Sequence, residues 1–173
     1  MRVPQAADVP HLTGPPVSAA LHASPMADLH SRLQGLAAFV AELEAPDFDA
    51  GHWHPMAPTR DDPDVSTMPW YELSDRADAF LAAVRGNGWV GPFDWMAWAQ
   101  TAEGTALRED RDALAKATPD QLQRLLTTLV RADRFNEGTL EWAFESGLMA
   151  AIARRAATLA AALSLPDGRA DGS

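Results

Sequence analysis

The residues best placed to do chemistry lie between positions 131 and 147. Arg131, Asp133, Arg134, Glu137 and Glu145 crowd a short turn, between the apolar residues Phe135, Leu140, Phe144 and Leu148. Two arrangements fit. In one, Arg131 and Arg134 hold an anionic ligand or a partner's carboxylate in bidentate fashion. Glu137 or Glu145 then orients that ligand or acts as a base, and Asp94, Trp95 and Trp98 line the pocket. In the other, the two arginines pair with Glu137 and Glu145 and satisfy carbonyls at the helix ends, which fixes the turn without chemistry. In both, Phe135 is expected to anchor the turn in the core.

A second group is Gly51-His52-Trp53-His54-Pro55, near Asp47 and Asp49. Two histidines at i, i+2 could touch a metal. They sit in a proline-rich stretch with no third clear ligand, and structural zinc wants four, so no metal is assigned. Trp53 is expected to cover the core from the loop. Cysteine is absent, which excludes disulfides, thiolate metal sites and cysteine nucleophiles. No GxSxG elbow, glycine-rich phosphate loop or HExxH motif occurs. Neither catalytic residues nor cofactors are assigned.

Charge narrows the partners. The 173 residues carry 14 basic against 24 acidic side chains, a formal net charge of -10. That balance argues against a nucleic-acid surface and a polybasic membrane contact. The short helix, Gly147 and the last helix with Arg154 and Arg155 have a helix-turn-helix outline, but its electrostatic support is missing. The most apolar segment, Leu148 to Leu165, is broken by Arg154 and Arg155, so it reads as a buried helix and not a membrane span. No signal-peptide core appears in the first residues, and a cytoplasmic location is expected. Lys116 is the only lysine and alanine is abundant, a bias that suggests a GC-rich bacterial genome.

The elements that must position these residues read as helices. Ser24-Pro25 starts one, with Met26, Leu29, Leu33, Leu36, Val40 and Leu43 in alternating three- and four-residue steps, the seam of a heptad pattern. Packing on its own domain is the expectation, and self-association through residues 24–44 the alternative. Residues 46–69, rich in proline and aspartate, read as a linker. Ser74 or Asp75 caps a helix with face Ala77, Phe80, Leu81 and Val84. Asp94 begins a short helix carrying Trp95 and Trp98. Thr118-Pro119-Asp120-Gln121 marks a capping box before Leu122, Leu125, Leu126 and Leu129. Asn136 or Thr139 caps a short helix that Gly147 closes. No alternating β-branched run is present. The expected fold is all-α, a bundle of about five to seven helices. The expected organisation is a disordered tail at 1–23 and one helical domain at 24–165. Within it lie the N-terminal helix at 24–45, the linker at 46–69 and a helical core at 70–164. A second disordered tail follows at 166–173.

Three motifs carry a resemblance: Phe93-Asp94-Trp95 with Trp98; Leu125-Leu126-Thr127 with Arg131-Ala132-Asp133-Arg134-Phe135-Asn136-Glu137-Gly138-Thr139-Leu140; and Ala143-Phe144-Glu145-Ser146-Gly147. Across about residues 70–160 the chain resembles a bacterial family of uncharacterised proteins, a domain of unknown function. The resemblance implies no established activity. It also implies Cys and His in many relatives at the positions of Asn136 and Thr139, so this chain lacks any catalytic or metal role tied to that pair. The function expected is a small binding or regulatory accessory protein. Its partner is a protein or a small anionic ligand, with no nucleic acid and no membrane. The alternative is a ligand-binding protein or enzyme using the Arg/Glu cluster.

Overall fold

The computed structural model describes residues 25–58 and 66–164. The tails expected at 1–23 and 166–173 lie outside the described residues. Helices dominate: α1 (Pro25–Ala37), α2 (Val40–Leu43), α3 (Asp75–Gly86), α4 (Trp95–Ala99), α5 (Ala102–Glu109), α6 (Arg111–Ala115), α7 (Pro119–Ala132), α8 (Thr139–Glu145) and α9 (Leu148–Ser164). No described helix is long and apolar enough to cross a membrane.

The fold is not purely α. The stretch expected to be a linker contains β1 (Gly51–His54), β2 (Ala57–Pro58) and β3 (Ser66–Thr67), and β4 (Trp70–Leu73) follows it. β1 pairs antiparallel with β4, and β2 with β3. The register of the outer pair, Ala57 with Thr67, continues that of the inner pair, Gly51 with Leu73 through His54 with Trp70. The four strands are therefore one hairpin arm. Pro55 and Pro69 fall opposite each other in that register, between the inner and the outer pair. The strand signal lies in aromatic residues rather than β-branched ones: Trp53, Trp70 and Tyr71 suit a pleated, half-buried surface. Gly51 is required at the arm's base. Its φ is +142°, and a Cβ there would meet the Glu72 carbonyl oxygen at 2.0 Å.

The core is built around α9, whose Leu148, Met149, Ile152, Ala153 and Ala156 are fully buried. Leu33 and Leu36 of α1, Phe80 and Leu81 of α3, and Leu122, Leu125 and Leu126 of α7 close over them. Phe80 sits edge-on to Phe39 at 5.5 Å and to Phe144 at 6.0 Å, a favoured aromatic geometry. The heptad seam of the first helix faces α9 of the same chain. It is broken after Ala37, and only Met26 on it is largely exposed. Among residues 25–43 the seam is therefore largely used within the chain.

Local signals set the helix boundaries. The Thr118 hydroxyl accepts from the Gln121 N–H, and the Gln121 side chain accepts from the Thr118 N–H at 2.8 Å, closing the capping box. Ser74 caps α3 by accepting from the Ala77 N–H. The bundle has more segments than expected because Thr101 and Asp110 cap two further short helices, α5 and α6.

Candidate functional site

The α7–α8 turn holds the charged cluster, and its geometry divides that cluster in two. α7 ends at Ala132, where Asp133 turns its carboxylate across the turn to accept from the Leu140 N–H of α8 at 3.0 Å. Asp133 thus satisfies one of the N–H groups left free in the first turn of α8. The cap residue of α8 is Gly138, at φ +95°, and not Asn136 or Thr139. Those two are bonded together instead, Thr139 Oγ1 donating to the Asn136 carbonyl at 2.7 Å.

On one side of the turn, Arg131 and Arg134 line a cleft of about 350 Å³ together with Val90, Val130, Trp95 and Phe135. Neither arginine forms an ion pair among the described residues. The expected pairs with Glu137 and Glu145 do not form. Phe135 does not anchor the core: it is 82 % exposed and stacks on the Trp95 indole, with ring centres 6.1 Å apart and planes 23° apart.

On the other side, the glutamates belong to the hairpin. Glu137 Oε1 accepts from the Tyr71 N–H of β4 at 3.0 Å. Trp53 Nε1 donates to Glu141 Oε1 at 2.7 Å. Trp53 therefore ties the arm to α8 and leaves part of its ring exposed, instead of covering the core. Glu145 is exposed, and its charge acts on Tyr71. The Tyr71 hydroxyl is buried with no hydrogen-bond partner among the described residues. Burial, then the charges of Glu141, Glu145 and Asp49, push its pKa up to about 12.

The remaining expected site residues separate likewise. Asp94 caps α4, accepting from the Ala97 N–H at 3.0 Å. Trp98 is buried, edge-on to Phe93, and its Nε1 donates to Glu103 Oε2 at 2.7 Å. Glu103 also accepts from Gln121 Nε2. These two hydrogen bonds, Gln121's first and then Trp98's, hold its carboxyl below the usual range. The structure thus brings Trp95, Arg131 and Arg134 together and places Asp94, Trp98, Glu137 and Glu145 elsewhere. Phe135, Glu141 and Tyr71 are the residues the sequence reading missed. Exposure cannot be read from a Phe flanked by helices, and the two others depend on a hairpin.

A larger cleft, of about 450 Å³, lies beside the start of α9 and is lined by Arg111, Arg154 and Arg155. Its arginines are already engaged. Arg111 donates to the Ser146 carbonyl, Arg155 to the Ala117 carbonyl, and Arg154 pairs with Glu44 at 2.9 Å.

Residues 29–162 match the sequence model of a family of unknown function, DUF6508. The chain belongs to that family. No curated protein and no solved structure matches the chain. The family match runs from within α1 to near the end of α9, so it takes in the hairpin, the Arg131/Arg134 cleft and the Tyr71 environment alike.

Proposed function

We propose that this member of the family is a binding module that captures an acidic protein segment on the Trp95/Phe135 face. The carrying observation is that Arg131 and Arg134 are without ion-pair partners among the described residues, beside an exposed, stacked aromatic pair. In a chain of net charge -10, two unengaged arginines on one patch are a local exception to the sign of the whole. Aromatic residues and arginine are the types enriched where binding energy concentrates. A guanidinium matches a carboxylate bidentately, and a neighbouring aromatic face adds contact area at low entropic cost. Glu137 is engaged at the hairpin, and Glu145 acts on Tyr71 there. An acid–base pair with the arginines is therefore less supported than recognition.

Selection from a displayed random-peptide library on the full chain tests this reading. Arg131→Glu/Arg134→Glu serves as the counter-selection target. Enriched peptides should carry Asp or Glu beside an apolar residue, and should lose binding to the variant by at least about tenfold, the cost of roughly one charge-assisted contact. The variant should lose under about 1 kcal/mol of stability in denaturant, as exposed charges do. Peptides without acidic residues, or peptides that bind both proteins equally, would overturn the reading.

A further inference from the structure

The hairpin arm supplies what the two histidines lacked in sequence. In the β1–β4 register His52 lies opposite Glu72 and His54 opposite Trp70. Side chains alternate along a strand, so His52, His54, Trp70 and Glu72 share one face of the arm, and Trp53 and Tyr71 share the other. On the shared face, His54 Nε2 lies 2.6 Å from Glu72 Oε2, and His52 Nε2 lies 3.5 Å from the same oxygen. The two imidazole centres are 4.5 Å apart. One ligand atom from each of the three residues lies within 4.8 Å of the other two.

We propose that His52, His54 and Glu72 form a mononuclear site for a borderline divalent cation of the zinc class, open at its remaining coordination positions. The inference is independent of the acidic-segment reading, which concerns the far side of the α7–α8 turn. Bonds of about 2.0–2.2 Å to imidazole nitrogen and carboxylate oxygen place neighbouring ligand atoms roughly 3.3 Å apart around a tetrahedral ion. The spacings in the arm bracket that value, so small side-chain rotations suffice. Two imidazoles and one carboxylate suit zinc, nickel, cobalt or copper, whereas calcium and magnesium prefer all-oxygen sets. Three protein ligands match the number in catalytic zinc centres and leave positions for water or for a ligand from outside the chain. Trp70 stacks flat on His54, with centres 3.9 Å apart and planes 8° apart, which fixes the imidazole plane. Glu72 lies 18 residues after His54, beyond the reach of any short spacing motif. The face is open: the His52, His54 and Glu72 side chains are 65 %, 34 % and 49 % exposed.

Calorimetric titration of the untagged full chain with zinc chloride tests the site. One equivalent should bind. His52→Ala/His54→Ala should remove that binding, and Glu72→Gln should weaken it by at least about tenfold, since even indirect ligand supports are worth that much. His30→Gln and His11→Gln/His22→Gln, which change the chain's other histidines, should leave it intact. Nickel should quench tryptophan emission in the wild type and less in Trp70→Phe. If circular dichroism shows the double histidine variant to be misfolded, His52→Gln replaces it. Binding that survives in the histidine variant, that depends on His11 or His22, or that fails to saturate below millimolar zinc would overturn the proposal. The His54–Glu72 contact would then be a hydrogen bond alone.

Discussion

Along α7 and its neighbours, polar side chains find partners within the chain, and the buried Thr127 and Thr128 both donate to carbonyls. Thr118 and Gln121 cap reciprocally, Thr127 Oγ1 donates to the Trp89 carbonyl, and Glu103 takes bonds from Trp98 and Gln121. In the hairpin arm and the adjoining turn, the groups richest in chemistry lie at the surface: His52, His54, Glu72, Arg131, Arg134 and Glu145 are exposed or half-buried. Buried polar groups must be satisfied internally, because an unsatisfied one costs about 1–3 kcal/mol. Recognition chemistry therefore collects where that constraint is relaxed, and here it collects on the hairpin arm and around the α7–α8 turn, at the surface of the helical scaffold.

The comparison predicts unequal responses to substitution. The largest is in the core. Phe80→Ala should cost about 3–5 kcal/mol in denaturant titration, because a fully buried ring that meets Phe39 and Phe144 is removed. A loss below about 1 kcal/mol would mean that the helical layers are not closed as described.

The next is at the arm's base. Gly51→Ala should cost about 1–3 kcal/mol, from a positive φ and a clash with the Glu72 carbonyl. Amide hydrogen exchange should locate that loss in β1 and β4, with α9 still protected. Equal acceleration in α9 would show that arm and core open as one unit.

The smallest concerns Tyr71, the chain's one tyrosine. Its raised pKa means that the folded state favours the neutral phenol. That contribution is fully present below the ordinary value of 10.0 and is lost as pH rises toward about 12. Phenolate absorbance should appear late in an alkaline titration, and earlier in Glu141→Gln. Tyr71→Phe, which deletes an unpartnered hydroxyl, should leave stability unchanged or raise it by up to about 1 kcal/mol.

The helices were legible in sequence to the extent that their signals are local. The Thr118 capping box, the Ser74 cap, and the apolar faces of α3 and α7 depend on residues three or four apart, and all occur as expected. The hairpin was not legible. Its partners are up to 22 positions apart, Gly51 with Leu73, and prolines between them imitate a linker. The same blindness affected the cluster. Arg134 and Glu137 are close in sequence, yet Glu137 bonds to Tyr71, 66 residues away. Phe135 could be recognised as apolar but not as exposed, because exposure depends on what packs above the turn. Trp95 and Trp98, three apart on one short helix, part company for the same reason: Trp98 finds Glu103 and the core, and Trp95 finds Phe135.

The pairing pattern of the arm bears on how the protein avoids sticking to itself. A two-stranded ribbon has two open edges, and an open edge invites another chain to add a strand. On β4, Pro69 has no N–H to offer, and the N–H of Tyr71, the next outward-facing position, is already given to Glu137. On β1, the Gly51 N–H is taken by the Asp49 carboxylate at 3.1 Å, and Pro55 has none. A foreign strand laid along either border would find its acceptors unanswered at Gly51, Pro55, Pro69 and Tyr71. The prolines that disguise the arm as a linker also let it stand out from the helices without becoming a template for aggregation.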